Sequence, residues 1–219
     1  DQVSVTTDDG RSFTGRALIG ADGIRSATRA QLIDDGEPVL NGYFAHRTIV
    51  PMESLKVDVP RDKVFLWGGP GFHVVHYPLR HGTEFNIVAV LRSENKAERG
   101  DADAYRAELE EITQSATPEV KALIAMMDLE QRFMIGDRDP IRNWHQGRIC
   151  LLGDAAHPTL QSLAQGACMA IEDGLHLANL IHAKGDDYDA AFTQFTSDRY
   201  LRTARVTLES RYIWEFYHG

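Results

Sequence analysis

The alternation of apolar and polar positions predicts two paired strands at the start of the chain, followed by a third strand and a short helix. Residues 3–7 (VSVTT) alternate and run into a turn at Asp9-Gly10, a pattern typical of a β-hairpin. Residues 17–20 (ALIG) form a short apolar strand. Ser26 is the predicted N-cap of a helix over residues 27–32, because its hydroxyl can accept a hydrogen bond from the first turn.

Residues 39–92 lose helical periodicity and predict an antiparallel sheet. Turns that contain glycine separate the β-rich runs. The runs and turns alternate along the chain at residues 64–67, 68–71, 73–77, 81–83 and 85–90.

Helical periodicity returns in the second half of the chain. Apolar residues at spacings of four and three predict an amphipathic helix over residues 101–115. Thr117 caps the next helix, which has Pro118 at its first position. A strand at 148–152 then precedes a helix over 166–181.

The last segment, 189–216, predicts one long helix. Its apolar side is expected to carry Ala191, Phe195 and Leu201. Three arginines are expected to form a solvated face of the same helix, and they are Arg199, Arg202 and Arg205.

This order of elements predicts an α/β (mixed α+β) fold. A partial Rossmann-like nucleotide-binding layer is interrupted by an antiparallel-sheet domain, and a long C-terminal helix follows. The boundaries that we expect are 1–35 for the first part of the binding layer, 36–135 for the sheet domain, 136–186 for the second part of the layer and 187–219 for the helix.

Composition narrows the class of protein. The 219 residues are 43% hydrophobic and 25% charged with a net charge of −9, so a globular protein is expected and nucleic acid is not an expected partner. No apolar run approaches the roughly 20 residues that a membrane helix needs, so no membrane association is expected. Cys150 and Cys168 are too sparse for a disulfide framework, which favours a cytoplasmic location.

The segment 149–173 has the chemistry of a ligand-binding strand, loop and helix. A glycine at the end of a buried strand lets the backbone approach a ligand, and Asp154 then projects where open α/β sheets bind ligands. The helix that follows Gln165 offers unpaired N–H groups and a positive dipole end. An ordinary strand–loop–helix unit with a capping Asp fits the spacing equally well.

The residues of this segment resemble a flavin motif. Residues 153–158 (GDAAHP), 165–167 (QGA) and 169–173 (MAIED) are similar to the second flavin motif of the single-component FAD-dependent aromatic hydroxylases, the para-hydroxybenzoate hydroxylase-like family. The resemblance implies that Asp154 binds the ribityl chain and that the backbone at Gly166 and Ala167 faces the ring. The cofactor-binding residues that it implies are Asp154, Gly153, Pro158, Gln165, Gly166, Ala167, Asp22 and Arg47.

A second motif supports the first. Residues 20–26 (GADGIRS), with Arg29 three positions further, resemble the motif that this family shares between the flavin pyrophosphate and the nicotinamide cofactor. An Asp-Gly pair alone is usually only a turn. This pair follows a strand and precedes a helix, which favours the functional interpretation.

The same resemblance places the antiparallel sheet over the flavin, as the roof of the substrate pocket. His73 and Tyr77 lie four residues apart on one strand and therefore face the same side, where a hydrogen-bonded structural pair is the alternative. Gln161 stands where most phenolic-acid hydroxylases of this family have Pro. With this departure and with His73 and Tyr77, the sequence resembles the members of the family that convert 3-hydroxybenzoate to gentisate. Hydroxylation of salicylate at position 1 is the alternative.

The resemblance implies an NADH- or NADPH-dependent monooxygenase that uses FAD and O2 on a small aromatic acid. His73 is expected to act as base or hydrogen-bond partner, Tyr77 to orient the substrate and Gln161 to hold its hydroxyl or carboxylate. Arg47 is expected near flavin and substrate, or else at a strand edge. His157 is expected to cap a loop, and the other histidines show no ligand spacing, so no metal is expected.

Two further hypotheses stay open, and both concern the whole protein. One is another flavoenzyme of this fold, such as a halogenase or an epoxidase. The other is a non-catalytic remnant that serves in interactions, since the family's opening Gly-x-Gly-x-x-Gly fingerprint is absent from the sequence and the chain opens within a hairpin. A fragment of a longer enzyme is therefore expected, and a homodimer is expected because many relatives form one.

The missing fingerprint leads to a prediction about the 219-residue chain alone. Because that fingerprint holds the ADP half of the cofactor, the isolated chain should bind FAD weakly or not at all. Titration of FAD into the purified chain, followed by gel filtration and flavin absorbance, measures this. Tight stoichiometric flavin absorbance would contradict the prediction.

Overall fold

The structure is a computed structural model that describes residues 2–93, 102–129 and 131–218. The chain divides into two compact units. The first comprises residues 1–39 and 136–213, and the second comprises 40–135 and 214–219.

The strands of the described residues lie in both units. In chain order they are β1 Val3–Thr6, β2 Ser12–Gly15, β3 Leu18–Gly20, β4 Val39–Pro51, β5 Phe65–Gly69, β6 Phe72–Leu79, β7 Glu84–Arg92, β8 Phe133–Asp137, β9 His145–Gln146 and β10 Ile149–Leu151. The α-helices are α1 Ala27–Leu32, α2 Ala102–Ile112, α3 Pro118–Ala125, α4 Gly166–Lys184 and α5 Tyr188–His218.

The first unit contains a hairpin and a small sheet. Strands β1 and β2 pair antiparallel, and Gly10 in the turn has a φ of 81°, a conformation that glycine adopts without steric cost. The sheet has the order β3-β10-β9, in which β3 and β10 are parallel and β10 and β9 are antiparallel. The parallel pair brings the end of β3, at Gly20, beside the end of β10, at Leu151.

Helices pack on this small sheet through a continuous apolar cluster. Trp144, Cys150 and Leu151 contact the buried aromatic side chains Phe192 and Phe195 of α5. None of these five side chains is more than 1% exposed. The core of the first unit is therefore built largely from β10 and the first half of α5.

The second unit is built on a five-stranded sheet of the order β5-β6-β7-β4-β8. One face of this sheet packs against α2 and α3, with Val74, Phe85 and Ile87 fully buried on it. Since side chains alternate across a strand, the neighbouring positions of β4, β6 and β7 lie on the opposite face. That opposite face carries the polar positions that the sequence singled out.

Local sequence signals account for the starts of two helices, α1 and α3. The Ser26 side chain accepts a hydrogen bond from the Arg29 N–H at 2.8 Å, as expected of the N-cap of α1. Thr117 is the N-cap of α3 and Pro118 its first residue, again as expected. The mixed α/β fold, its antiparallel sheet and the long C-terminal helix are confirmed. Asp101, the predicted start of α2, lies outside the described residues.

Several local expectations were wrong. The turn predicted over residues 68–71 is shorter, because Gly68 and Gly69 still pair in β5. Leu201 is 71% exposed, although Ala191 and Phe195 are buried. Six residues separate Phe195 from Leu201, which is about one and two-thirds helical turns, so the two side chains point to different sides of α5.

The arginine face predicted on α5 also needs correction. Arg199 is only 9% exposed and makes ion pairs with the buried Asp173 and the partly exposed Glu172, which are described with the candidate site below. Arg205, in contrast, is exposed and lies 3.7 Å from Glu209 one turn further along the helix. Arginine spacing alone did not distinguish these two environments.

No α-helix in the described residues is both long and apolar enough to cross a lipid bilayer. Cys150 is buried and Cys168 is exposed, and both are free thiols. Burial raises the pKa of the Cys150 thiol to about 12, so this side chain behaves as a packing group.

The two-sided sheet predicts different costs for truncating leucines on its two faces. Leu91→Ala, at a fully buried position, should lower the free energy of unfolding by about 2–5 kcal/mol through lost contacts and a residual cavity. Leu66→Ala, at a position that is 37% exposed on the other face, should cost about 1 kcal/mol or less. Urea unfolding of both variants measures the difference, and equal losses would contradict this description of the sheet.

Candidate functional site

A cavity in the first unit brings the two sequence motifs together. Its volume is about 290 Å³. The motif at residues 20–26 contributes Ala21 and Gly23, which follow β3, and the motif at residues 153–173 contributes residues after β10 and at the start of α4. The complete lining is Ala21, Gly23, Leu152, Gly153, Asp154, Gly166, Ala167 and Ala170.

Small residues keep this cavity open. Gly153 has a φ of 59°, and an added Cβ would meet the Cβ of Ala170 at 3.2 Å. An added Cβ on Gly166 would lie 3.7 Å from a carboxylate oxygen of Asp154 and would fill space in front of that group. Glycine is therefore required at 153 by the turn, and glycine at 166 leaves the carboxylate accessible.

Asp154 is the carboxylate that the cavity presents to solvent. The residue is exposed, and its carboxylate accepts no hydrogen bond from the described residues. The surrounding protein raises its pKa, and nearby His157 partly opposes this rise. An accessible acceptor among small apolar residues fits the polyhydroxylated chain of a flavin, so the residues present fit the cofactor that the resemblance implies.

A buried carboxylate holds the loop that carries Asp154. Asp173 of α4 is fully buried, and its Oδ2 accepts hydrogen bonds from the Gly153 N–H at 3.1 Å and from His157 Nε2 at 2.6 Å. Its Oδ1 accepts from Arg199 Nε of α5 at 2.7 Å. Burial alone would raise the pKa of Asp173, but His157 and Arg199 outweigh burial and lower it.

The loop-capping role expected of His157 is consistent with this geometry. The hydrogen bond from Arg199 to Asp173 was not expected from the sequence and is seen only in the structure. Arg199 also pairs with Glu172 at 2.8 Å, and Arg202 holds the other oxygen of Glu172 at 2.7 Å. These two arginines lower the pKa of Glu172 to about 2. The Glu172-Asp173 pair of the motif is thus an anchor for α5.

A buried arginine links the two motifs. Arg29 is 0% exposed, and its Nη1 donates to the backbone carbonyls of Ala155 and Ala156 at 3.1 and 2.9 Å. Its other nitrogens donate to the carboxylate of Asp35. The guanidinium therefore fixes helix α1 against the loop that contains Asp154.

Asp22, predicted to bind cofactor, is engaged locally. Its Oδ1 accepts from the Ser26 hydroxyl at 2.6 Å, and its Oδ2 accepts from the Thr28 N–H at 3.0 Å. Burial would raise its pKa, yet these hydrogen bonds lower it. In this structure Asp22 caps α1, and a role toward a cofactor stays a prediction.

The loop between the cavity and α4 carries the remaining predicted residues. Pro158 is buried, Gln165 is half-buried at the N-cap of α4, and Gln161 is exposed at the start of a short 3-10 turn. Ala164 has a φ of 51°, a left-handed conformation that costs a residue with a Cβ about 1–2 kcal/mol. The side chain of Ser210 in α5 steadies the loop by hydrogen-bonding the Thr159 hydroxyl at 2.8 Å.

His73 lies in the second unit and is enclosed by the end of α5. It is 2% exposed, and its Nδ1 lies 2.8 Å from Nε2 of His218. Trp214 and Tyr217 pack edge-on against its ring. Burial, and then the neighbouring His218, lower its pKa to about 3. The alternative pairing with Tyr77 is not formed, because His218 takes its place.

Tyr77 and Arg47 share the open face of the second unit's sheet with a residue that the sequence did not single out. Asn86 pairs in register with Tyr77 and is fully buried. Arg47 is exposed, and its Nε donates to Asn86 Oδ1 at 2.8 Å. The alternative of a surface arginine on a strand edge is correct for the exposure of Arg47 and wrong for the edge, since β4 lies between β7 and β8.

Within the described residues, no cluster of three or more His, Cys, Asp or Glu side chains is arranged to hold a metal ion. The predicted residues fall in both units. Asp154, Gln161 and the cavity belong to the first, and His73, Tyr77 and Arg47 belong to the second.

A family described as "FAD binding domain" matches residues 2–210. The chain belongs to this FAD-binding domain family. Membership confirms the flavin cofactor class and the family predicted from the two motifs. It also agrees with the accessible carboxylate of Asp154 in a cavity lined by small residues.

Relatives of this FAD-binding domain cover the whole chain. "3-Hydroxybenzoate 6-hydroxylase 2" of Aquipseudomonas alcaligenes is 39% identical over 100% of the chain, which corresponds to 68% of the relative. "3-Hydroxybenzoate 6-hydroxylase" of Polaromonas naphthalenivorans is 38% identical over the same extent, with 55% of the relative covered. The chain thus spans between about half and two thirds of the length of these relatives.

A solved structure is similar to the whole chain as well. The crystal structure of Klebsiella pneumoniae HpxO complexed with FAD and uric acid superposes with a TM-score of 0.86 at 30% identity. The match covers 100% of the chain and 56% of that protein. The shared fold extends over both units of this FAD-binding domain.

The Asp173 network generates a prediction for the stability of this FAD-binding domain. Asp173→Asn should lower the free energy of unfolding by about 3–5 kcal/mol, because it leaves Arg199 buried beside a neutral amide. The pKa of Asp173 is lowered on folding, so its contribution is present above the ordinary carboxyl pKa of about 4 and is lost as pH falls further. Urea unfolding between pH 7 and pH 3 should show a weaker acid dependence in the variant.

The matched control is a surface pair on the same two helices. His176 Nε2 lies 2.9 Å from Asp198 Oδ2, and both side chains are 35% exposed. Asp198→Asn should cost less than about 1 kcal/mol. If Asp173→Asn and Asp198→Asn lowered the free energy of unfolding by similar amounts, the prediction that the Asp173 network stabilises the fold would be wrong.

Proposed function

We propose that this protein is an FAD-dependent monooxygenase that hydroxylates a phenolic aromatic acid with NADH or NADPH and O2. The best-supported substrate is 3-hydroxybenzoate, with gentisate as product. One observation carries this proposal: relatives named 3-hydroxybenzoate 6-hydroxylase are 36–39% identical to the chain over its full length.

The first unit supplies the flavin side of the proposed reaction. FAD, when bound, would supply the hydride acceptor for the nicotinamide cofactor and the means of activating O2 for aromatic hydroxylation. Asp154 would accept hydrogen bonds from the ribityl chain, and the backbone N–H groups of Gly166 and Ala167 would stabilise negative charge on the ring. Asp173 and Arg29 position these groups by holding the intervening loop.

The second unit supplies polar groups for the substrate. Tyr77 of this unit orients the aromatic acid. For Gln161, the role that the resemblance implies is to hold a hydroxyl or carboxylate of the substrate. The lowered pKa of His73, about 3, keeps its imidazole neutral at pH 7 and makes it a weak base. Of the two roles expected for His73, we therefore assign it that of a hydrogen-bond partner and not that of the base that accepts a proton from the substrate.

Three finer points belong to the same proposal. Salicylate 1-hydroxylation is the second candidate, and a salicylate hydroxylase structure at 24% identity supports only the shared fold. The free thiols Cys150 and Cys168 are compatible with the cytoplasm. A homodimer is the assembly that we expect, and sedimentation analysis would test it.

Substrate identity is decided by a product assay. With FAD and NADH or NADPH supplied, 3-hydroxybenzoate should stimulate oxidation of the nicotinamide cofactor and yield gentisate. The chain is assayed alone and as a fusion that supplies a Gly-x-Gly-x-x-Gly strand and helix ahead of Val3. Chromatography identifies the product.

The comparison arms are salicylate and 3-amino-4-hydroxybenzoate, the compound in the name of a Streptomyces cremeus relative that is 33% identical. Catechol from salicylate, with no gentisate from 3-hydroxybenzoate, would replace the first candidate by the second. No product from any of the three acids in the flavin-loaded fusion would overturn the proposed activity.

A further inference from the structure

The open face of the second unit's sheet carries a buried amide without an internal acceptor. Asn86 is 0% exposed, and its Oδ1 accepts from Arg47 Nε at 2.8 Å. Its Nδ2 is buried and has no hydrogen-bond partner among the described residues. A buried donor without an acceptor destabilises the folded protein, and a ligand or water that supplies an acceptor removes this cost.

Arg47 adds positive charge beside this amide. Its Nε is held by Asn86, which fixes the plane of the guanidinium. The terminal nitrogens, Nη1 and Nη2, have no partner among the described residues. Those two nitrogens carry four N–H donors. Their position is fixed because the same guanidinium donates, through Nε, to the buried Asn86.

The neighbouring positions make this a defined site. Asn86 lies opposite Tyr77 of β6 on one side and opposite Ile49 of β4 on the other. Ile49 is 48% exposed, so an apolar surface adjoins the polar groups. A phenol hydroxyl, an amide, a guanidinium and an exposed aliphatic side chain therefore share one face of three adjacent strands.

The chemistry of this set selects a carboxylate on an apolar body. The polar atoms of Arg47 and Asn86 that have no partner are nitrogen donors, because the amide oxygen already accepts from Arg47 Nε. One guanidinium supplies one positive charge, which matches a monoanion. Its planar fork matches the two oxygens of a carboxylate, and such charge-assisted pairs are stronger than neutral hydrogen bonds.

We infer that Arg47 and Asn86 form the carboxylate-binding subsite for the aromatic acid, with Asn86 Nδ2 and the terminal nitrogens of Arg47 as donors. This inference rests on the proposed function for the identity of the acid. It gives Arg47 a direct role toward substrate, whereas the resemblance grouped Arg47 with the cofactor-binding residues and placed it near both flavin and substrate. Asn86 becomes a binding residue, and its Nδ2 obtains the acceptor that the fold does not supply.

The test compares an acid with its isosteric amide. Isothermal titration measures the binding of 3-hydroxybenzoate and 3-hydroxybenzamide to the flavin-loaded fusion, to its Arg47→Gln variant and to its Asn86→Asp variant. Arg47→Gln should weaken binding of the acid by about 10- to 100-fold and leave binding of the amide nearly unchanged. Asn86→Asp replaces the donor nitrogen by a second carboxylate oxygen, so it should reverse the preference and favour the amide.

Controls separate this subsite from general effects of charge and folding. Arg80 is an exposed arginine of the same unit that pairs with Glu84 at 3.0 Å, and Arg80→Gln should change neither affinity. Arg47 is exposed, so its variant is expected to keep the fold, and thermal unfolding checks both variants. FAD titration of each variant shows whether the pair serves the cofactor.

Several results would overturn the inference. They are equal binding of acid and amide by the unsubstituted protein, no binding of either compound, unchanged acid affinity in Arg47→Gln, or loss of FAD affinity in the variants without loss of acid affinity. The proposed function fails separately. If the protein binds 3-hydroxybenzoate through Arg47 but forms no gentisate from it, the subsite stands and the proposed reaction does not.

Discussion

The candidate flavin site depends on the burial of one carboxylate. A buried charge is costly unless donors surround it, and Asp173 obtains three, from the Gly153 N–H, His157 and Arg199. The donors come from the end of a strand, from a loop and from a second helix. Satisfying Asp173 therefore fixes the turn at Gly153, and that turn presents the accessible carboxylate of Asp154 to the cavity.

The second unit obeys a different constraint, the period of two along its strands. Phe85 and Ile87 of β7 close the core on one face, while Asn86 between them lies on the other. A polar residue in the middle of a buried strand needs partners, and Arg47 satisfies only its oxygen. The same alternation that stabilises the unit thus sets a donor group beside Tyr77, where a substrate carboxylate would meet it.

Prediction from sequence succeeded where local physics decides the outcome. Hydroxyl capping by Ser26 and the Thr117-Pro118 helix start depend on residues within one turn of the helix end. It failed where a distant partner decides. Arg199 was assigned to solvent because its spacing along α5 is compatible with an exposed face, yet Glu172 and Asp173 draw it into the interior. Likewise, His73 forms a hydrogen bond with His218, which is 145 positions away, and not with Tyr77.

By itself the sequence determined the mixed fold, because strand alternation, helix periodicity and glycine-rich turns depend on neighbours along the chain. The family followed from the resemblance of the two motifs to known flavin motifs. Only the tertiary structure decided that both motifs line one cavity and that Arg199 forms an ion pair with Asp173 instead of facing solvent. It also decided that Asn86 is a buried amide whose nitrogen has no partner among the described residues. Those properties arise from hydrogen-bond partners on other strands and helices. A single sequence contains the partners but not their pairing.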